Sequence, residues 1–175
     1  MWHPDAYQAL IAENYPQVAA IYEELIDNNP ENISDYWYLG VAYLLQNLEA
    51  EAQVVWQNVL RGGNPEEVKQ WQAELEAVLD AEARRQQRKG DLAAVEYFRY
   101  HLQEIVPKSI NNLLALFDLA LDLEIFDPEE LRFFRTYTVE NSPSSLSVQQ
   151  CSKVDKYQSN KNSKPYCTNF TSMSC

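Results

Sequence analysis

Carboxylates are the first candidates for chemistry, because Asp and Glu number 26 against 14 Lys and Arg. Asp118 and Asp122 stand one helical turn apart on a shared face, and Glu74 and Glu76 sit among further acids. In a cleft, paired carboxylates could divide general acid and general base work. On a surface helix the same spacing makes a solvated face, which is the ordinary behaviour of charge runs and the reading adopted. The two histidines, His3 and His101, lie far apart without H-x-x-x-H spacing, and Cys151, Cys167 and Cys175 contain no C-x-x-C pair. No metal-ligand set is therefore expected. Gly40, Gly62, Gly63 and Gly90 build no G-x-S-x-G, P-loop or G-x-G-x-x-G, so neither a catalytic residue nor a cofactor is expected. Gly62-Gly63 after Arg61 reads as a helix stop. Asn32-Ile33-Ser34 and Asn169-Phe170-Thr171 match the glycosylation triplet and, with no secretion signal, read as chance matches.

Charge is unevenly placed. The formal balance is −12 over 175 residues, with 24 acids and 10 bases in residues 1–135 and 2 acids and 4 bases in 136–175. Binding to a phosphate backbone runs on clustered Lys and Arg, so no nucleic-acid partner is expected. All three cysteines fall in the last 25 residues, and a cysteine-free helical part fits a reducing compartment. The start, Met1-Trp2-His3-Pro4-Asp5, lacks the basic and apolar regions of a signal peptide. The most apolar stretch, Leu113 to Phe126, is broken by Asp118, Asp122 and Glu124, so no membrane span is expected. A soluble, cytoplasmic protein is the expectation.

The elements that must position any site are helical throughout. Pro4 suits a first turn, and a short helix runs from it to Asn14. Pro16 opens a second, whose Val18, Ala19, Tyr22, Leu25 and Ile26 recur at i, i+3, i+4, and Pro30 ends the unit. The run Tyr36-Trp37-Tyr38-Leu39-Gly40-Val41-Ala42-Tyr43 forms the third, paired after Asn47-Leu48-Glu49 with a fourth that carries Ala52 and Trp56. Gly40 leaves a pocket that the small Ala52 is expected to fill, with Trp56 packing alongside. Asn64, Pro65 and Glu67 read as cap, first-turn proline and capping-box partner of a long helix through Leu75 and Leu79 to Gln87. Gly90-Asp91-Leu92 turns into a sixth helix with Val95, Phe98, Leu102 and Ile105, closed by Pro107. A seventh follows Lys108, and Asp127-Pro128-Glu129-Glu130 opens one more.

Residues 1–135 resemble a tetratricopeptide (TPR) array, most clearly at Tyr36, Leu39, Gly40, Tyr43, Ala52 and Trp56. Repeat one has Asp5-Ala6 where Leu-Gly is usual, and repeat three has Arg99 where an aromatic is usual. The long fifth helix exceeds the family's first helix by roughly ten residues. The resemblance implies an all-α solenoid of helix hairpins, a right-handed superhelix whose concave groove accepts a protein or peptide segment. By that register the groove would present Trp37, Val41 and Leu44, with Arg84 and Arg88 meeting an acidic group on the partner. The alternative treatment of the same stripe makes Trp37 and Leu44 core and the arginines a solvated helix end. The pattern is also similar to the repeats that precede a transferase in bacterial, especially cyanobacterial, proteins, of the SPINDLY-like O-linked N-acetylglucosamine type or a small methyltransferase. That alternative implies a non-catalytic N-terminal fragment.

Near Thr136 the composition changes. Of the last forty residues nine are Ser, with four Asn, four Thr, no Gly and no Arg. Such a stretch buries too little apolar surface to offset ordering entropy, so 136–175 is expected to be a disordered tail, or a frameshifted or truncated end.

Overall fold

A computed structural model describes residues 1–107 and 109–123, and these are all helix and turn. Seven helices run in order among them: α1 Pro4–Ile11, α2 Tyr15–Asn28, α3 Ile33–Leu44, α4 Glu49–Gly62, α5 Pro65–Lys89, α6 Leu92–Ile105 and α7 Ile110–Leu123. The expected eighth helix and the boundary and tail expected from 136 onward lie outside the described residues. The chain divides into two compact units, Met1–Val106 and Pro107–Cys175.

The first unit is three helix hairpins. α1 packs on α2, α2 on α3, α3 on both α4 and α5, α4 on α5, and α5 on α6. The second helices of the hairpins, α2, α4 and α6, are 14 residues each, while α5 extends to 25. Capping follows the sequence: Asn14 accepts from the Gln17 N–H, Asp91 from the Ala94 N–H, and Asn64 with Glu67 closes a reciprocal capping box on α5.

All three hairpins turn in the same way. Glu13, Asn47 and Gly90 each adopt left-handed backbone, at φ 57, 60 and 78. In each turn that residue's N–H donates three residues back (to Leu10, Leu44 and Gln87). The next N–H donates five back (to Ala9, Tyr43 and Gln86). This is the Schellman arrangement, which satisfies the last carbonyls of α1, α3 and α5. Positions 13 and 47 are 34 apart, and positions 47 and 90 are 43 apart. The structure thus repeats with one lengthened step, taken up by α5.

α3 lies at the centre because it is apolar on every side. Tyr38, Leu39 and Ala42 join Ala6, Leu10, Val18 and Tyr22 in one core cluster. Trp37, Val41 and Leu44 join Trp56, Leu75, Leu79 and Phe98 in the other. Gly40 marks the closest approach: a Cβ built there would lie 2.1 Å from Nε1 of Trp56. The indole of Trp56, fully buried, occupies the space that the sequence reading gave to Ala52, and its N–H donates to the Trp37 carbonyl at 3.4 Å. Gly62-Gly63 ends α4 as expected, with Gly63 in extended backbone, and a side chain on Gly63 would strike the ring of Trp71.

In the second unit, α7 is capped by Ser109, whose hydroxyl accepts from the Asn112 N–H at 3.1 Å, and Leu113, Phe117 and Leu119 are buried.

Candidate functional site

Of the residues expected to line a groove, Trp37 and Val41 are 1% and 0% exposed. They hold α3 against α4 and α5, so neither presents a surface to a partner, and the groove expected there is corrected to core. The reason is α5, which packs directly on that face of α3. The Trp37 indole N–H donates to Glu74 on α5 at 3.4 Å. Leu44 is 1% exposed and backs a hollow described below. The acids behave as structure: Glu74 also accepts from Gln70, and Asp80 receives Arg84 at 2.7 Å and the buried Arg99 of α6 at 2.6 Å. Arg99 thus pins α6 to α5. His3 and His101 do not meet. His101 is buried beside Tyr97, its nitrogens 3.3 Å from Glu104 and 3.8 Å from Glu49. No group of three His, Cys, Asp or Glu among the described residues is placed to hold a metal ion. Asp122's side chain and the three cysteines lie outside the described residues.

Arg84 and Arg88 are solvent-facing on α5, in line with Ala73, Ala77 and Ala81. This stripe follows the 3–4 spacing of one helix face and is roughly 22 Å long at 1.5 Å per residue. Along its end of α5 the cations are mostly committed: Arg84 to Asp80, Arg85 to Glu82 through Nε and Nη2, Lys89 to Glu13. Arg88 makes no ion pair among the described residues. The stripe combines small side chains, over which another backbone can approach closely, with positive charge at one end.

A hollow of about 500 Å³ opens where the three hairpin turns converge. Leu44, Leu45, Phe98, Tyr15 and Tyr97 line it with apolar and aromatic surface, and Glu13, Asn47, Lys89 and Asp91 bring polar groups to it. The Lys89 ammonium crosses to the Glu13 carboxylate. Their hydrogen bond holds the Glu13 pKa below and the Lys89 pKa above the ordinary values. Behind them Glu82, 2% exposed, accepts from Arg85 at 2.7 and 2.8 Å and from Gln86 at 2.6 Å. Burial works against Arg85's charge, and the bonds to Glu82 more than offset it, so its pKa is raised. The Tyr97 hydroxyl is buried beside the Glu49 carboxylate; burial first, and then that carboxylate, pushes its pKa well above the tyrosine range.

The three turns and the cations at the end of α5 are legible in the sequence, and the hollow between them is not. The signal available was the shared turn chemistry, which puts positions 13, 47 and 90 in equivalent places and so brings Tyr15 and Lys89 together. No protein-family model, curated protein or solved structure matches the chain. No described helix is long and apolar enough to cross a membrane.

Proposed function

We propose that the chain is a non-enzymatic protein-interaction module built of TPR-like helix hairpins, and that it meets a protein segment along the exposed stripe of α5. One observation carries this reading: Ala73, Ala77, Ala81, Arg84 and Arg88 line one uncovered face of a 25-residue helix. A helix or extended strand of the partner lies over the alanines, where small side chains admit close contact, and places an acidic group at Arg88 and Arg84. Buried Trp37 and Val41 act from behind, fixing α5 on α3. The repeated turn geometry and the 34-residue step between Glu13 and Asn47 support the hairpin-repeat architecture. The transferase-fragment reading draws on no feature of this geometry.

The test is affinity capture with the full chain and its Ala77→Trp and Arg88→Glu variants as baits. Both positions are exposed, so helix content should match the parent by circular dichroism. A partner held by the parent should be lost by Ala77→Trp and weakened by Arg88→Glu. Equal recovery by all three baits would remove α5's stripe as the contact surface.

A further inference from the structure

We infer that the hollow at the hairpin-turn end of the first unit is a binding site for a guanidinium group. This stands apart from the reading of α5's stripe. The volume of about 500 Å³ lies within the range of small-ligand sites. Its chemistry is acceptor-rich. Glu13 and Asp91 bring carboxylates, and Gln86, 2% exposed, brings an amide whose orientation is fixed. Glu82's carboxylate, already paired with Arg85, can only accept, so it is the Gln86 nitrogen that donates to it at 2.6 Å. The Gln86 side-chain oxygen is then left without a hydrogen-bond donor among the described residues, in a side chain that lines the hollow. A ligand that fits must donate several N–H groups, carry positive charge and offer a flat face to Tyr15 and Tyr97. Guanidinium has five donors in a rigid plane and stacks on aromatic rings.

A resident cation already marks the position. Lys89 holds Glu13 from across the hollow, with both side chains partly exposed, 39% and 59%, so the pair can exchange for a ligand at small cost. On the side of α1 to α4 the surroundings favour the same sign, since residues 1–60 hold nine acids and no Lys or Arg, while α5 brings Lys89 and Arg85 to the other side. Arginine reaches such a site either within a polypeptide or as a free molecule, and the chemistry is shared.

The experiment is a titration of the full chain, followed by NMR and calorimetry, with three probes: acetyl-Gly-Arg-Gly-amide, free arginine, and the peptide with citrulline in place of arginine. Citrulline keeps the shape and removes the charge. Saturable shifts at Asn14, Asn47, Asp91 and Ala93 are expected with the arginine peptide, and the citrulline peptide should bind about tenfold or more weakly, a charge-assisted hydrogen bond's worth. Glu13→Gln should weaken the arginine peptide by about fivefold, and Lys89→Gln, which removes the competing resident cation, should tighten it by a few-fold, both within the surface ion-pair range. Free arginine binding as well as the peptide identifies a free ligand, and preference for the peptide identifies a protein side chain. Equal binding of the arginine and citrulline peptides, a loss of affinity in Lys89→Gln, or no saturable shift at these amides overturns the proposal.

Discussion

At Gly40 a missing side chain decides where two helices cross. The indole of Trp56 lies over the bare Cα, and an added Cβ would sit 2.1 to 2.6 Å from three of its ring atoms. The ring is fully buried and its N–H is bonded to α3's backbone, so it cannot move aside without losing that bond. Gly40→Ala should therefore destabilise by about 1–3 kcal/mol, the usual cost of overpacking, even though alanine is the better helix former. Urea unfolding would measure it. The partner position supplies the control: Trp56→Leu also destabilises, by opening a cavity, but in that background Gly40→Ala should cost much less. Additive losses in the double variant would mean the two residues do not oppose each other. The pattern of large residue, glycine and aromatic was visible in the sequence. Which side chain fills the gap was not, because Ala52 and Trp56 stand one helical turn apart and both face α3.

For the helices themselves, the sequence is most informative at their ends. Asn14, Asn64, Pro65, Glu67 and Asp91 cap or open helices as their types demand, and the excess length of α5 shows as a longer apolar period. The faces of α3 are a different matter. Its residues from Trp37 to Ala42 are all buried, so the apolar stripe carries no direction, and a groove cannot be told from a core without knowing that α5 covers that side. The hollow was illegible for a related reason. Its polar groups come from three turns far apart in the chain, and only the stacking of hairpins unites them. The turns also permit a prediction with opposite signs. Gly90, at φ 78 with open space around it, should lose about 1 kcal/mol on replacement by Ala, from backbone strain alone. Asn47, at φ 60, should gain a few tenths of a kcal/mol on replacement by Gly, up to about 1. Thermal melts of the two variants, compared with the parent, report both. A loss in both would mean that Asn47's side chain matters more than its backbone.

Over the whole molecule the controlling fact is charge placement. The half built from residues 1–60 has nine acids and no Lys or Arg of its own, so a further negative charge there meets mainly repulsion, relieved at Glu13 by Lys89 of α5. That half also holds three of the four described tyrosines whose ionisation is disfavoured. Burial raises Tyr22 far above the tyrosine range, and Tyr38, stacked on it with ring centroids 5.5 Å apart, is raised as well. Tyr43 is pushed up to about 12, by burial first and then by its hydrogen bond to Glu23. In each case the folded chain keeps the proton longer than the unfolded one, whose tyrosines ionise near about pH 10. Their contribution to stability is thus complete below about pH 10 and is lost as the pH climbs through the raised folded values. Tyr22 tests this directly, since its hydroxyl accepts from the His3 N–H at 2.9 Å and sits 1% exposed at the meeting of α1, α2 and α3. At neutral pH Tyr22→Phe should cost about 1 kcal/mol for the orphaned N–H. Between about pH 10 and 12 the parent should lose stability faster than the variant, because only the parent must then leave a proton on a buried phenol. Urea midpoints taken across that range should therefore converge. A gap between parent and variant that stays constant from neutral to alkaline pH would show that Tyr22's buried hydroxyl plays no part in alkaline unfolding.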